Sequence, residues 1–202
     1  MLGQATQNVF TKVYVMLILS FYFWILTVAG LVIAGVGPAM RTVAEIYDHH
    51  GWQYREYHWH ESWQTFKQVF KAANMQWWGF AIVGAILSES LYLALQFKVG
   101  WMLFIIFILI FALLLCLALG MFTIVLQSHY DVTFKVALRL AVSQFFSSFP
   151  RLLLFLGGLL MIVVFTIKWP GLILFMTIPA LVLWTFYISA KWFTFVDAHL
   201  AE

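Results

Sequence analysis

Charge is what this 202-residue sequence has least of: 9% of its residues are Asp, Glu, Lys or Arg. Soluble domains carry about 25%. With 64% of the residues hydrophobic, a water-soluble fold of this length could not hide its apolar surface. The solvent for most of the chain is therefore lipid. Cysteine is nearly absent as well. Cys116 alone excludes an internal disulfide and says little about redox compartment. The sequence holds no nucleophile elbow, no glycine-rich phosphate loop, no paired intramembrane carboxylates and no His-x-x-x-His on a helix. No catalytic residue and no cofactor is indicated. The net charge of +3 is small, and nothing in its distribution points to nucleic acid.

What is present is apolar sequence in long runs. Five are long enough to cross a bilayer, at about 13–36, 75–97, 99–126, 150–168 and 172–192, since a spanning helix needs roughly 17–25 apolar residues. The fourth is short and borrows from its ends, and Pro170-Gly171 turns it tightly into the fifth. The first is too long for a signal-peptide core, so it reads as a retained helix. The expected fold is an all-α polytopic membrane bundle forming one domain over residues 1–202. It has five transmembrane helices and two or three interfacial amphipathic helices on the cytoplasmic side.

Orientation follows from Lys and Arg. The loops from Gly37 to Asn74 and from Gln127 to Arg151 hold Arg41, Arg55, Lys67, Lys71, Lys135, Arg139 and Arg151, and Lys191 closes the fifth helix on the same side. Lys12, Lys98 and Lys168 fall on the other. The excess of cations on cytoplasmic loops predicts an outside N-terminus and a cytoplasmic C-terminus.

Both cytoplasmic loops contain helical periodicity. In "ESWQTFKQVFKAAN" the residues Trp63, Phe66, Phe70 and Ala73 share a face, with Lys67 and Lys71 beside it and Glu61 or Ser62 available as a cap. In "YDVTFKVALRLAVSQFF" the face is Phe134, Ala137, Leu138, Ala141 and Phe145, with Lys135 and Arg139 opposite and Asp131 as the expected N-cap. Such helices lie in the interface, where Lys67, Lys71, Lys135, Arg139 and Arg151 meet anionic headgroups. Trp63, Phe66, Phe70, Phe134, Leu138 and Phe145 are the candidate partner-contact residues. Each unit reads as amphipathic helix, short break, spanning helix, and the shared Thr-Phe-Lys suggests either a duplication or the common look of helices entering a membrane from its basic side. A third short helix is expected from Pro38 to about Tyr47.

These segments carry a resemblance. "GVGPAM" with Gly35, Gly37, Pro38 and Ala39, then Trp63, Phe66, Lys67, Phe70, Lys71 and Asn74, then Lys135, Ala141, Pro150 and Arg151, resemble in order and spacing the YesL-like integral membrane proteins. The likeness runs over nearly the whole chain and implies a small bacterial plasma-membrane protein, commonly encoded beside ABC importers for complex carbohydrates. It brings no catalytic residue. It implies a non-catalytic accessory or assembly subunit whose partners are the permease and ATPase of such an importer. A small standalone transporter and a pH- or metal-responsive sensor are the alternatives.

Two features bear on those alternatives. "YDHHGWQYREYHWHESW", residues 47–63, holds four of the six histidines. It departs from the YesL-like pattern, and its spacing fits no familiar metal site, so no metal is expected there. It reads as a wet loop with Trp52, Tyr54, Tyr57, Trp59 and Trp63 at headgroup level, or as a site of pH sensing or partner contact. Glu89, in "LSESL", is an ionisable residue inside the second span. It either faces a substrate path or partner, or reaches the outer interface toward Lys12, Lys98 or Lys168. Gly79, Gly84, Gly120, Gly157 and Gly158 are expected to let helices pack closely.

Overall fold

The computed structural model describes residues 2–97 and 99–200, with side chains from Gln7 to Ala198 apart from Lys98. Among these residues there is no strand. Seven α-helices follow one another: α1 (Leu2–Ala29), α2 (Val36–His50), α3 (Trp59–Gln96), α4 (Met102–Tyr130), α5 (Phe134–Ser147), α6 (Phe149–Lys168) and α7 (Ile178–Leu200). A single 3-10 turn, Tyr54–Glu56, lies in the loop before α3. Five helices, α1, α3, α4, α6 and α7, are long and apolar enough to cross a membrane, which fits a multi-pass membrane protein.

The α1–α2 connection decides the architecture. Gly30 donates to Leu26 O and Val32 donates back to Thr27 O, so α1 ends in a tight reversal. A Cβ on Gly35 would sit 2.7 Å from Thr27 Cα, and only glycine allows the two backbones to meet so closely. Leu31 and Val32 adopt φ of 63° and 62° in this tip. Such values are rare, and for a β-branched residue a true outlier. The tip Leu31, Val32 and Ile33 is exposed.

From there α2 runs back along α1. The Lys12 ammonium lies 5.4 Å from the centre of the Trp52 ring, and the Tyr14 and Tyr54 rings meet edge to face at 5.6 Å. The start of α1 and the loop after α2 therefore occupy one end of the bundle. The close of α7 lies there too, because Tyr47 packs on Phe186 and His129 stacks on Phe193 while holding Asp48. The expected arrangement, with the N-terminal side opposite the His-rich loop and the C-terminal side, is thereby corrected. It counted only the long helices, and α2 makes an additional return.

The helix expected from Pro38 exists, but it is no surface helix. It buries Gly37, Pro38, Ala39, Met40, Thr42, Val43, Ala44 and Ile46 and packs on α1, α3, α4 and α7. Small residues make this possible: a Cβ on Gly37 would stand 2.6 Å from Trp77 Cβ. Thr42 Oγ1 donates to Pro38 O at 2.8 Å, and Gly51, at φ 55°, closes the helix with its N–H on Tyr47 O.

The two-unit pattern is also revised. α3 is one unbroken helix of 38 residues, about 57 Å long at 1.5 Å per residue. Its first half packs on α2 and its second half continues with α4. Only the second unit is broken, at Ser148, with Pro150 in the first turn of α6. The caps differ as well. His58 precedes α3 and Thr133 precedes α5, neither with a side-chain cap bond, while Asp131 ends α4 in the left-handed region at φ 47°. Before α7 one turn, Ile173–Thr177, is π-helical. Pro179 lacks the N–H that an α-helix would aim at residue 175, and the wider turn absorbs that loss.

Candidate functional site

The candidate partner-contact residues divide by burial. Phe66 is 3% exposed and Phe145 4%. Phe66 stacks with Trp63 at 5.7 Å, meets Phe70 at 5.4 Å, and approaches the Gly30 turn. Phe145 packs on Phe111. Trp63 and Phe70 pack against the core, half-buried; Phe134, which meets Phe80, and Leu138 are half-buried as well. The α3 stripe turns to α2 and the α5 stripe to α4, so both lie largely against the chain's own helices. The cations beside them do point outward: Lys67, Lys71, Lys135 and Arg139 are exposed, and Arg151 is half-buried.

The His-rich loop is a staple between helices. His50, at the end of α2, lies between two carboxylates, with Nε2 2.8 Å from Glu61 and Nδ1 3.3 Å from Glu56. His58 Nδ1 sits 2.8 Å from Glu56 O, and His60 Nε2 pairs with Gln64 at 2.8 Å. Tyr57 is the loop's buried anchor. Its hydroxyl donates to Gly51 O at 2.6 Å, and its carbonyl accepts from Tyr22. Burial pushes the Tyr57 hydroxyl far above its ordinary range, with Tyr47 and Tyr22 adding to the shift. Among the described residues, no three His, Cys, Asp or Glu side chains converge on one point. The rings expected at headgroup level divide: Trp52, Tyr54 and Trp59 are exposed, Trp63 is half-buried and Tyr57 is inside.

Glu89 is exposed on the second half of α3, on a surface shared with Ile82, Val83, Ile86, Tyr92 and Leu93. Among the described residues it makes no hydrogen bond or ion pair. Lys12, one suggested partner, is at the far end of the bundle beside Trp52, and Lys98 lies outside the described residues.

A large apolar space between the helices escaped sequence reasoning. A cavity of about 380 Å³ lies between the α3–α4 pair and the α6–α7 pair, at the level where α2 begins. Its walls are almost wholly apolar: Trp77 and Phe80 on α3, Leu117 and Met121 on α4, Val163 on α6, Leu181 on α7. It persists because α6 and α7 hardly touch α3, while Phe155 of α6 and the body of α7 pack on α4 beside it. Glycines leave it room. A Cβ on Gly84 would meet nothing within 4 Å, and one on Gly120 would meet Phe80 at 3.6 Å. Of the glycines expected at helix contacts, Gly158 is pressed on Trp184 and Gly120 touches Phe80, whereas Gly79, Gly84 and Gly157 face open space. The small residues at α3 spacing, Ala73, Ala81 and Gly84, were the available signal.

Arg41 of α2 lines the same cavity. Its side chain is 11% exposed, and its Nε donates to Glu45 Oε2 at 3.4 Å.

A family model described as "Protein of unknown function, DUF624" matches residues 16–91. The match begins inside α1 and ends in the second half of α3, so it covers the α1–α2 hairpin and the stapled loop. The chain is similar to that family over this stretch. No curated protein and no solved structure matches it.

Proposed function

We propose that this protein is a non-catalytic membrane subunit that docks on another polytopic protein, and that the partner is the permease of a carbohydrate ABC importer. The observation that carries the docking is Glu89. It lies seven residues before the end of α3, about 10 Å along the helix, on an apolar surface with no partner among the described residues. An ionisable side chain facing lipid costs about 2.5–3.5 kcal/mol near the bilayer centre and is usually paired or turned toward protein. A polar group from a neighbouring subunit removes that cost. The importer rests on the YesL-like resemblance. Against a standalone sugar transporter stands the character of the cavity, because a sugar path needs many hydrogen-bonding groups and this wall offers few.

The orientation follows the corrected geometry. With Lys12 at the end of the bundle that holds loop 51–58, only Lys98 and Lys168 remain assigned to the other end. We infer from that asymmetry that the Lys12 end, and the close of α7 with it, face the cytoplasm of a bacterial cell.

Purification from native membranes in mild detergent, with mass spectrometry of the copurifying chains, tests the reading. The permease is expected with the wild type and depleted with Glu89→Leu, which raises the apolarity of the span and leaves insertion intact. Recovery of the wild-type protein alone, with the importer expressed, rejects the partner. Equal recovery with Glu89→Leu rejects the surface.

A further inference from the structure

The cavity has a polar end as well as an apolar body. Along α3 it is bounded by Ala73, Gln76, Trp77, Phe80, Ala81 and Gly84, and at its α2 edge by Arg41. Arg41 is nine-tenths buried, yet Glu45 engages only its Nε. The outer edge of the guanidinium, with both Nη nitrogens, donates to nothing among the described residues. Neither Nη nitrogen is fully buried, so this edge stays reachable for a ligand. The free edge presents two parallel N–H groups, the geometry that matches a phosphate. Glu45 holds the guanidinium in place, and Asp131 acts on it from farther off. Phe134, next to the exposed Lys135, meets the lining residue Phe80 edge to face at 6.2 Å.

The volume of about 380 Å³ lies in the range of ligand sites, roughly 300–1,000 Å³, which are mostly apolar with a few placed polar groups. The walls suit an alkyl chain. The charged edge suits the phosphate to which such a chain is joined in a membrane lipid. The surrounding bilayer supplies that molecule continuously, and on the α3 side the cavity is not closed by close packing of α3 on α6 or α7.

We propose that this cavity is a binding site for one anionic phospholipid, with an acyl chain between α3, α4, α6 and α7 and the phosphate on the outer edge of Arg41. The site is independent of the partner at Glu89. The two lie at different levels of α3, and failure of one leaves the other standing.

Native mass spectrometry of the full chain tests it. The protein is reconstituted with equal phosphatidylglycerol and phosphatidylcholine, extracted, and stripped of loose lipid. The wild type is expected to retain one phosphatidylglycerol. Gly84→Leu fills the cavity and should reduce that adduct at least tenfold. Gly79→Leu places the same side chain in open space outside the cavity and should leave it unchanged, which separates filling from any general effect on α3. The pair Arg41→Gln with Glu45→Gln removes the charge without leaving a lone carboxylate, and should erase the preference for phosphatidylglycerol. A wild type without a lipid adduct overturns the site, as does equal retention by Gly84→Leu, or a preference unchanged in the double variant. An adduct with the mass of a second copy of the chain overturns it in favour of an interface between copies.

Discussion

Replacing Gly35 with Ala should part α1 from α2. The added methyl would stand 2.7 and 2.8 Å from the Cα and carbonyl carbon of Thr27. Carbon atoms pack best at about 3.5–4.0 Å, so the helices must separate by close to an ångström at the tip. Neither atom belongs to a side chain that could swing away, and Thr27 O is already held by the Val32 N–H at 2.8 Å. Overpacking of this kind costs about 1–3 kcal/mol. At roughly 2–4 °C per kcal/mol for a chain this size, the midpoint should fall by several degrees in a thermal ramp in detergent. The geometry can be read separately. In a Cys116→Ser background, cysteines at Tyr14 and Tyr54 should be joined by a short bis-maleimide in the wild type, because those rings touch. The yield should fall when Gly35→Ala is added. If Gly35→Ala melts with the wild type, or if Tyr14 and Tyr54 cannot be joined in the otherwise native chain, the hairpin is wrong and α1 leads away from the loop.

Other outcomes follow from burial. Phe66→Ala removes a ring that is 3% exposed and should cost about 3–5 kcal/mol; wild-type thermal stability in that variant would return Phe66 to the surface. Tyr57 holds its proton more tightly when folded than when unfolded. Its contribution is therefore complete below the unfolded value of about 10 and is lost as pH rises past it. Protease cleavage in loop 51–58 should increase above about pH 10 in the wild type, and Tyr57→Phe should flatten that rise while losing about 1 kcal/mol at neutral pH from the missing bond to Gly51 O. An alkaline limb unchanged by Tyr57→Phe would place the titration elsewhere.

The five long helices were legible because nothing else explains runs of that length in a chain so poor in charge. α2 was legible as a helix but not as core. Arg41, Thr42, Glu45 and Asp48 give it the look of a surface segment, and the pairing of Arg41 with Glu45, four residues on, that lets it be buried is invisible to a count of charges. The signal that existed was the cluster of small residues Gly35, Gly37, Ala39 and Ala44. The continuity of α3 was missed, although the absence of proline between Trp59 and Gln96 signalled it, whereas Pro150 marks the break before α6. The cavity was not legible. An empty space depends on which helices fail to touch, and periodicity within one helix carries no information about that. Phe66 and Phe145 were placed on amphipathic faces correctly, but a face turned to lipid and one turned to α2 or α4 have the same composition.

The hairpin also bears on how the chain enters a bilayer during synthesis. A first span that crossed alone would carry Lys12 through the hydrocarbon, against about 2.5–3.5 kcal/mol for a lysine at its centre. Because α1 and α2 double back, the Gly30–Gly35 tip can lead, with Leu31, Val32 and Ile33 foremost and no charge among them. In the orientation proposed above, Lys12 and the stapled loop then stay behind with the ribosome. Arg41 and Glu45 go in as a neutral pair one turn apart. Insertion of this first third of the protein can proceed as a single wedge, without any part of it being exported to the far side.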